Sequence, residues 1–250
     1  MGHVVEGIGA GVAELVTSDG EITSAQCIPW RGLPVQQRLS ELAPAVVEAD
    51  VRAAALGEAL YGAGRGYDCF VYLTVGTGIS YSLVQEGHPY AGAHGNALVL
   101  ASGPMTHVCP RCGQQSAVIL EDYASGPAIA RRYAAKAGRD GVTGEDVIRA
   151  ANAGDPEAVE VASSAGTALG SAVGFLVNVL DPHVIVVGGG LGSCGGHYWA
   201  SLVDSTRAHI WAESSRDVPI VTAGLGPDAG IVGAAAACSR HHSPAPKEIR

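Results

Sequence analysis

Two apolar runs end directly in glycine, and this arrangement limits what the chain can fold into more than any other feature. Cys69-Phe70-Val71-Tyr72-Leu73-Thr74-Val75 runs into Gly76-Thr77-Gly78 and resumes as Ile79-Ser80-Tyr81-Ser82-Leu83-Val84, a hairpin with a glycine tip. Val184-Ile185-Val186-Val187 is a fully apolar strand that runs into Gly188-Gly189-Gly190. Glycines after a strand let backbone N–H groups approach a phosphate without side-chain interference. Thr77 adds a hydroxyl donor at the first cluster. Ordinary turns in a glycine-rich chain explain both clusters equally well. A dinucleotide loop at Gly188 to Gly192 fits less well, because the full G-x-G-x-x-G spacing and the later acidic residue are missing.

Helical and extended segments alternate along the rest of the chain, which predicts an α/β protein. Val12 to Val16 reads as strand, and Asp19-Gly20 as a hairpin turn into a second strand at Ile22. Val35 to Leu42 reads as a short helix, Ala45-Val46-Val47 as a buried strand, and Val51 to Gly62 as a helix. Residues 85–120 read as irregular. Helices are expected at 126–137, 144–153 and 156–180, and at 229–237 before a disordered tail from Ser239. A further strand is expected at Val218 to Thr222, and helix at Trp199 to Trp211, whose tryptophans read as core packing ahead of an interface.

The 250 residues are 47% hydrophobic, enough for a real core in one large or two small domains. With 35 glycines and only 2 phenylalanines, Ala and Val must fill that core. A net charge of −9 argues against a nucleic-acid surface and an anionic membrane partner. No signal peptide is visible and no apolar run reads as a bilayer span, so a cytoplasmic location without disulfides is expected. Of six cysteines only Cys109 and Cys112 are close in sequence, as a metal-ligand pair or by chance.

Asp50 follows a buried strand and opens a helix, the place of an N-cap. A carboxylate there can also take a proton from a substrate hydroxyl as its oxygen attacks phosphorus.

Several segments resemble the ROK family of sugar kinases and sugar-sensing repressors. Val46 to Glu58 looks like the family's V-x-E-N-D-x-x-A-A-A-L-G-E, and Val75-Gly76-Thr77-Gly78-Ile79 like its second phosphate loop. Leu120-Glu121-Asp122-Tyr123-Ala124-Ser125-Gly126 is similar to its L-E-x-Y-A-S-G. Asn178-Val179-Leu180-Asp181-Pro182, leading to Gly188-Gly189-Gly190, resembles its adenosine-side strand and loop, and Ala229 to Ala235 its closing helix. These matches keep the family's order and spacing along nearly the whole chain.

The resemblance implies a bilobal actin-like ATPase (ribonuclease H-like) fold, with ATP and a sugar or related polyol meeting in the interlobe cleft. Asp50 would be the catalytic base. Gly76, Thr77 and Gly78 would line the ATP phosphates, and Gly188, Gly189 and Gly190 would lie near the adenosine. Glu48, Asp50 and Gly76 would face the substrate. Magnesium would accompany ATP, and a homodimer is implied. Residues 1–75 would be the remainder of the N-terminal lobe. Residues 76–250 would be the C-terminal lobe, with the cysteine-bearing insert near 85–120.

Four departures stand out. The family's first phosphate loop, D-x-G-G-T-K, has no counterpart, so an incomplete N-terminal lobe is expected. Ala49 stands where the family has its sugar Asn. Val99 and Ser102 stand where a sugar-binding Glu and a zinc-linked His are expected. The knuckle keeps only Cys109 and Cys112, with His107 as a candidate third ligand, short of the four a structural zinc takes. A non-catalytic sensor of the same family is therefore the alternative to a kinase.

Overall fold

The computed structural model describes residues 5–97, 99 and 101–242, excepting the side chains of His107 and His242. The chain forms two compact units. The first takes Met1–Cys69, Ser82–Leu98 and Gly224–Arg250; the second takes Phe70–Tyr81 and Val99–Ala223. This interleaving differs from the contiguous division expected at 75/76. The end of the chain returns to the first unit because helix α8 (Ala229–His242) finds its apolar partner there, in helix α2 (Asp50–Tyr61).

In the first unit, β1 (Ile8–Val12) and β2 (Ala45–Ala49) are parallel, in register from Ile8↔Ala45 to Val12↔Ala49. The short helix α1 (Val35–Ser40) lies between them in sequence. Val12, Val16, Ile22, Val47 and Ala49 form a core, with Ile28, Val35 and Leu39 packed against it. The Asp19-Gly20 turn forms as expected, closed by Thr17 N–H donating to Glu21 O (2.9 Å) and by the Val16↔Ile22 bridge. The strand before it is Ile8–Val12 rather than Val12–Val16, because parallel pairing to β2 stops at Ala49.

Fully buried Glu58 of α2 accepts the backbone N–H groups of Ala63 (2.7 Å), Gly224 (2.9 Å) and Leu225 (2.8 Å). One carboxylate thus closes the C-terminal end of α2 and anchors the approach to α8. α8 extends to His242, so the tail predicted from Ser239 is helical at its start, and residues 243–250 lie outside the described residues.

In the second unit, β3 (Cys69–Val75), β8 (Val184–Gly188) and β9 (Ile220–Thr222) run parallel, with β4 (Ile79–Gln85) entered from β3 through the glycine turn. The far end of β4 leaves this unit and pairs with β5 (His88–Pro89) in the first. Residues 85–120 are more ordered than expected: β6 (Pro104–Val108) and β7 (Gln115–Ile119) form an antiparallel hairpin. Thr106 and Val108 on β6 and Val118 and Ile119 on β7 are β-branched and suit that ladder.

Helices α3 (Leu120–Ala124), α4 (Gly126–Ala137), α5 (Gly144–Asn152), α6 (Pro156–Leu180) and α7 (Gly196–His209) belong to the same unit and pack on one another. α5 opens on a capping box between Thr143 and Asp146, and α6 on Asp155, whose side chain accepts from Glu157 and Ala158 N–H. By length and composition α6 could cross a bilayer, which corrects the expectation that no run could; half of its apolar window is buried within the protein. Its Gly166, Gly170 and Gly174 form a stripe against the α7 backbone. Trp211 falls just beyond α7 and is 88% exposed, so it is not a core residue.

Candidate functional site

The two glycine clusters come together in the second unit. β3 and β8 are neighbours with Thr74↔Gly188 in register, so both clusters leave the same end of the sheet. Gly189 has a positive φ of 82°, and a Cβ there would overlap the Val75 carbonyl; Leu191 N–H donates to that carbonyl at 3.0 Å. Gly76 and Gly190 face each other, a Cβ on Gly76 falling 4.0 Å from Gly190 N. Within the first loop Gly76 N–H donates to Gly78 O (2.9 Å), and Thr77 is exposed at the tip.

Helix starts reinforce these loops. Gly126, first residue of α4, donates its N–H to Gly76 O at 2.8 Å, and a Cβ on Gly126 would sit 2.9 Å from that oxygen. Gly144 at the start of α5 packs on Gly126, where a Cβ would meet its Cα at 2.9 Å. Two helix N-termini, with their positive dipole ends, thus converge beside the Gly76 loop, although Gly126 N–H is engaged by Gly76 O and α5 is closed by its capping box. Glu121 of α3 shapes the loop from below: its Oε2 accepts Ile79 N–H at 2.7 Å. Cys194 donates its thiol to Gly190 O, and burial together with the Glu145 carboxylate raises its pKa.

Asp50 belongs to the first unit. Ala49 is the N-cap and Asp50 the first helical residue of α2, one place later than an N-cap. Its carboxylate favours the positive end of the helix and accepts Val51 N–H at 2.7 Å. The side chain is open to water yet crowded by protein. This partial desolvation raises its pKa; the Val51 hydrogen bond opposes the rise and the Glu14 carboxylate adds to it. The expected substrate residue Glu48 is already engaged, since its Oε1 accepts Arg52 Nε at 2.7 Å. Buried Arg52 also donates to Gly95 O (2.7 Å) and Val16 O (2.6 Å), tying two loops to α2.

Glu14, two residues beyond β1, is 7% exposed. It accepts four hydrogen bonds: from Ser24 Oγ and from the N–H groups of Gln26 (2.9 Å), Cys27 (2.6 Å) and Ile28 (2.7 Å). Burial alone would raise its pKa, but these donors hold the ionised form and bring it down to about 2.

Glu14, Arg52 and the shaping role of Glu121 were not anticipated. A carboxylate inside the apolar run Val12 to Val16, and an arginine four residues after Glu48 on an alanine-rich helix, were the available signals.

The cysteine pair caps the β6–β7 hairpin, where Cys109 N–H donates to Gln114 O at 2.9 Å. The Cys112 N–H, the Arg111 N–H and the Cys112 thiol lower the Cys109 pKa. The side chain of His107 lies outside the described residues. No group of three or more His, Cys, Asp or Glu side chains gathers among the described residues, so the donors described there do not make a four-ligand zinc site. Ala49 is buried and Val99 exposed, and neither side chain can hydrogen-bond a sugar.

Parallel strands ending in paired glycine loops meet two helix N-termini in the second unit. The glucokinase of Halalkalibacterium halodurans is 32% identical over 249 residues, covering 91% of this chain and 74% of that enzyme. The bifunctional enzyme NanE/NanK of Brucella melitensis is 36% identical over 237 residues, covering 90% of this chain and 42% of that enzyme. Among solved structures, the ROK family glucokinase of Streptomyces griseus, in complex with glucose and AMPPNP, matches with a TM-score of 0.83 at 30% identity. That match covers 96% of this chain and 83% of that one. The fold is thus the mixed α/β, actin-like ATPase fold of sugar kinases. Residues 1–241 match the ROK family model, and the chain belongs to the ROK family.

Proposed function

We propose that this chain transfers the γ-phosphoryl group of ATP to a hydroxyl of a hexose or related sugar, with Asp50 as general base. The observation that carries this reading is the placement of Asp50: a water-accessible carboxylate at a strand end and helix start, without an ion-pair partner of its own among the described contacts. The sugar hydroxyl gives its proton to Asp50 as its oxygen bonds to phosphorus, and the bond to the β-phosphate oxygen breaks with its electrons going to ADP. The loops at Gly76-Thr77-Gly78 and Gly188-Gly189-Gly190 would hold the nucleotide through backbone N–H groups, acting by position and charge. Magnesium, which neutralises phosphate charge when bound, would be held mainly by those phosphates and water, as is usual for this ion. A homodimer belongs to the same reading; a solution mass near 25.3 kDa would refute that part.

The test is ATP turnover over a panel of hexoses and amino sugars, with wild type and Asp50→Asn. The substitution is expected to lower kcat about 10²–10⁴-fold with ATP binding retained. Full activity of Asp50→Asn would sink the assignment.

Ala49 and Val99 favour a second reading, a sensor that binds nucleotide or sugar without turnover. Each missing polar contact would weaken a sugar by about 0.5–1.5 kcal/mol. Calorimetric binding of ATP or sugar with no product formed would select the sensor.

A further inference from the structure

Cys109 and Cys112 have no part in the phosphoryl transfer proposed above, and packing does not explain them. Both are free thiols; Cys112 is exposed and Cys109 half-buried, and Pro110 to Gln114 are exposed throughout. A thiol at the surface gains little by burial, so its chemistry is what sets it apart from serine. A metal role is short of donors, since no third His, Cys, Asp or Glu side chain joins the pair among the described residues.

The backbone of the hairpin tip brings the two together. β6 and β7 are in register as far as Val108↔Gln115, and Cys109 N–H donates to Gln114 O (2.9 Å) one step beyond. Gly113 N–H donates to Cys109 O (2.9 Å), which closes a single helical turn from Cys109 to Gly113. Gly113 makes the exit from that turn with a left-handed φ of 71°. The first and fourth residues of such a turn share a face, with Cβ atoms about 5–6 Å apart. A disulfide needs them about 3.5–4.5 Å apart, so the turn must tighten by about 1–2 Å. Pro110 to Gln114 bury no side chain, and the tightening therefore costs no core packing.

We propose that Cys109 and Cys112 form a reversible dithiol–disulfide site at the tip of the β6–β7 hairpin, oxidised by a low-molecular-weight disulfide. The exposed Cys112 sulfur, as thiolate, attacks one sulfur of the small disulfide; that S–S bond breaks and one small thiol leaves. Cys109 then attacks the Cys112 sulfur, the Cys109–Cys112 bond forms, and the second small thiol leaves. Two protein thiols are oxidised, one small disulfide is reduced to two thiols, and the two protein protons end on those thiols. An exposed disulfide is the labile kind, so excess small thiol reverses the reaction. Neither step uses Asp50 or the glycine loops, and the site stands whether or not the chain is a kinase.

The experiment measures the zinc content of the folded chain, treats it with oxidised glutathione, blocks the remaining thiols with iodoacetamide and maps tryptic peptides by mass. Trypsin cuts after Arg111, between the two cysteines, so the disulfide shows as two peptides held together. Cys109 and Cys112 should lose the iodoacetamide label together, and reduced glutathione should restore both. Cys27, exposed and far in sequence from any other cysteine, should carry glutathione instead. In Cys109→Ser the glutathione adduct at Cys112 should exceed that in wild type by about tenfold or more, because the resolving thiol is gone. If that variant does not fold, the wild-type map decides alone. Two thiols that stay labelled, stable glutathione adducts on both cysteines of the wild type, a disulfide between two chains, or one zinc per chain released only when both thiols are blocked would each overturn the proposal.

Discussion

Replacing Gly170 by Ala should destabilise the protein although alanine is the better helix former. In an open helix the change gains about 1 kcal/mol. At Gly170 a Cβ would overlap the Leu202 carbonyl and stand 2.7 Å from Ser205 Cβ and 2.9 Å from Thr206 N. Two of these three are α7 backbone atoms, so no rotamer change relieves them and the helix pair must separate. Overpacking of this kind costs about 1–3 kcal/mol before the helix gain is subtracted, and rigid backbone places this case at the upper end. The expected net loss is about 1–2 kcal/mol, a fall in Tm of about 2–8 °C for a chain of this size. Gly230 in α8 is the control, because a Cβ there meets nothing within 4 Å. Gly230→Ala should stabilise by about 0.4–1 kcal/mol. Thermal and urea unfolding followed by circular dichroism would measure both. A Gly170→Ala protein as stable as wild type would refute the claim that close backbone approach sets the α6–α7 packing.

Glu58→Ala strips three backbone N–H groups of their acceptor, at about 1–3 kcal/mol each, and should cost more than about 3 kcal/mol in urea unfolding. Gly78→Ala would place a Cβ 2.7 Å from Glu121 Oε2 and displace the carboxylate that holds Ile79 N–H. In the kinase reading kcat/KM for ATP should then drop on the order of 10²-fold, with the sugar KM little changed. Glu14, about 2 when folded against 4.5 for the free side chain, binds its proton less readily in the folded state. Its stabilisation is therefore complete above pH 4.5 and fades as the pH falls toward 2. The Tm gap between wild type and Glu14→Gln should shrink across that window; a constant gap would contradict it.

Much of the architecture was legible because its signals are local. The apolar run Val184 to Val187, the Thr143-x-x-Asp146 box and the Asp155-Pro156 start mark their own elements, and α4 and α6 fall where expected. The β6–β7 hairpin was not legible, since short strands around Pro, Gly and Cys look like loop until they pair. Trp211 failed for a similar reason: an aromatic residue suggests burial, but its position beyond α7 leaves it in water.

The candidate site divides along the same line. The sequence by itself determined the glycine clusters, the place of Asp50 between strand and helix, and the family, because each is carried by neighbouring residues. Tertiary structure alone decided that Gly76 faces Gly190, that Glu121 props Ile79, and that Arg52 reaches Val16 O and Gly95 O. It alone gave Glu14 its four donors, which lie ten to fourteen residues further along the chain. The physical reason is that a hydrogen bond or a clash depends on distance in space. Separation along the chain says little about that distance until the core has closed.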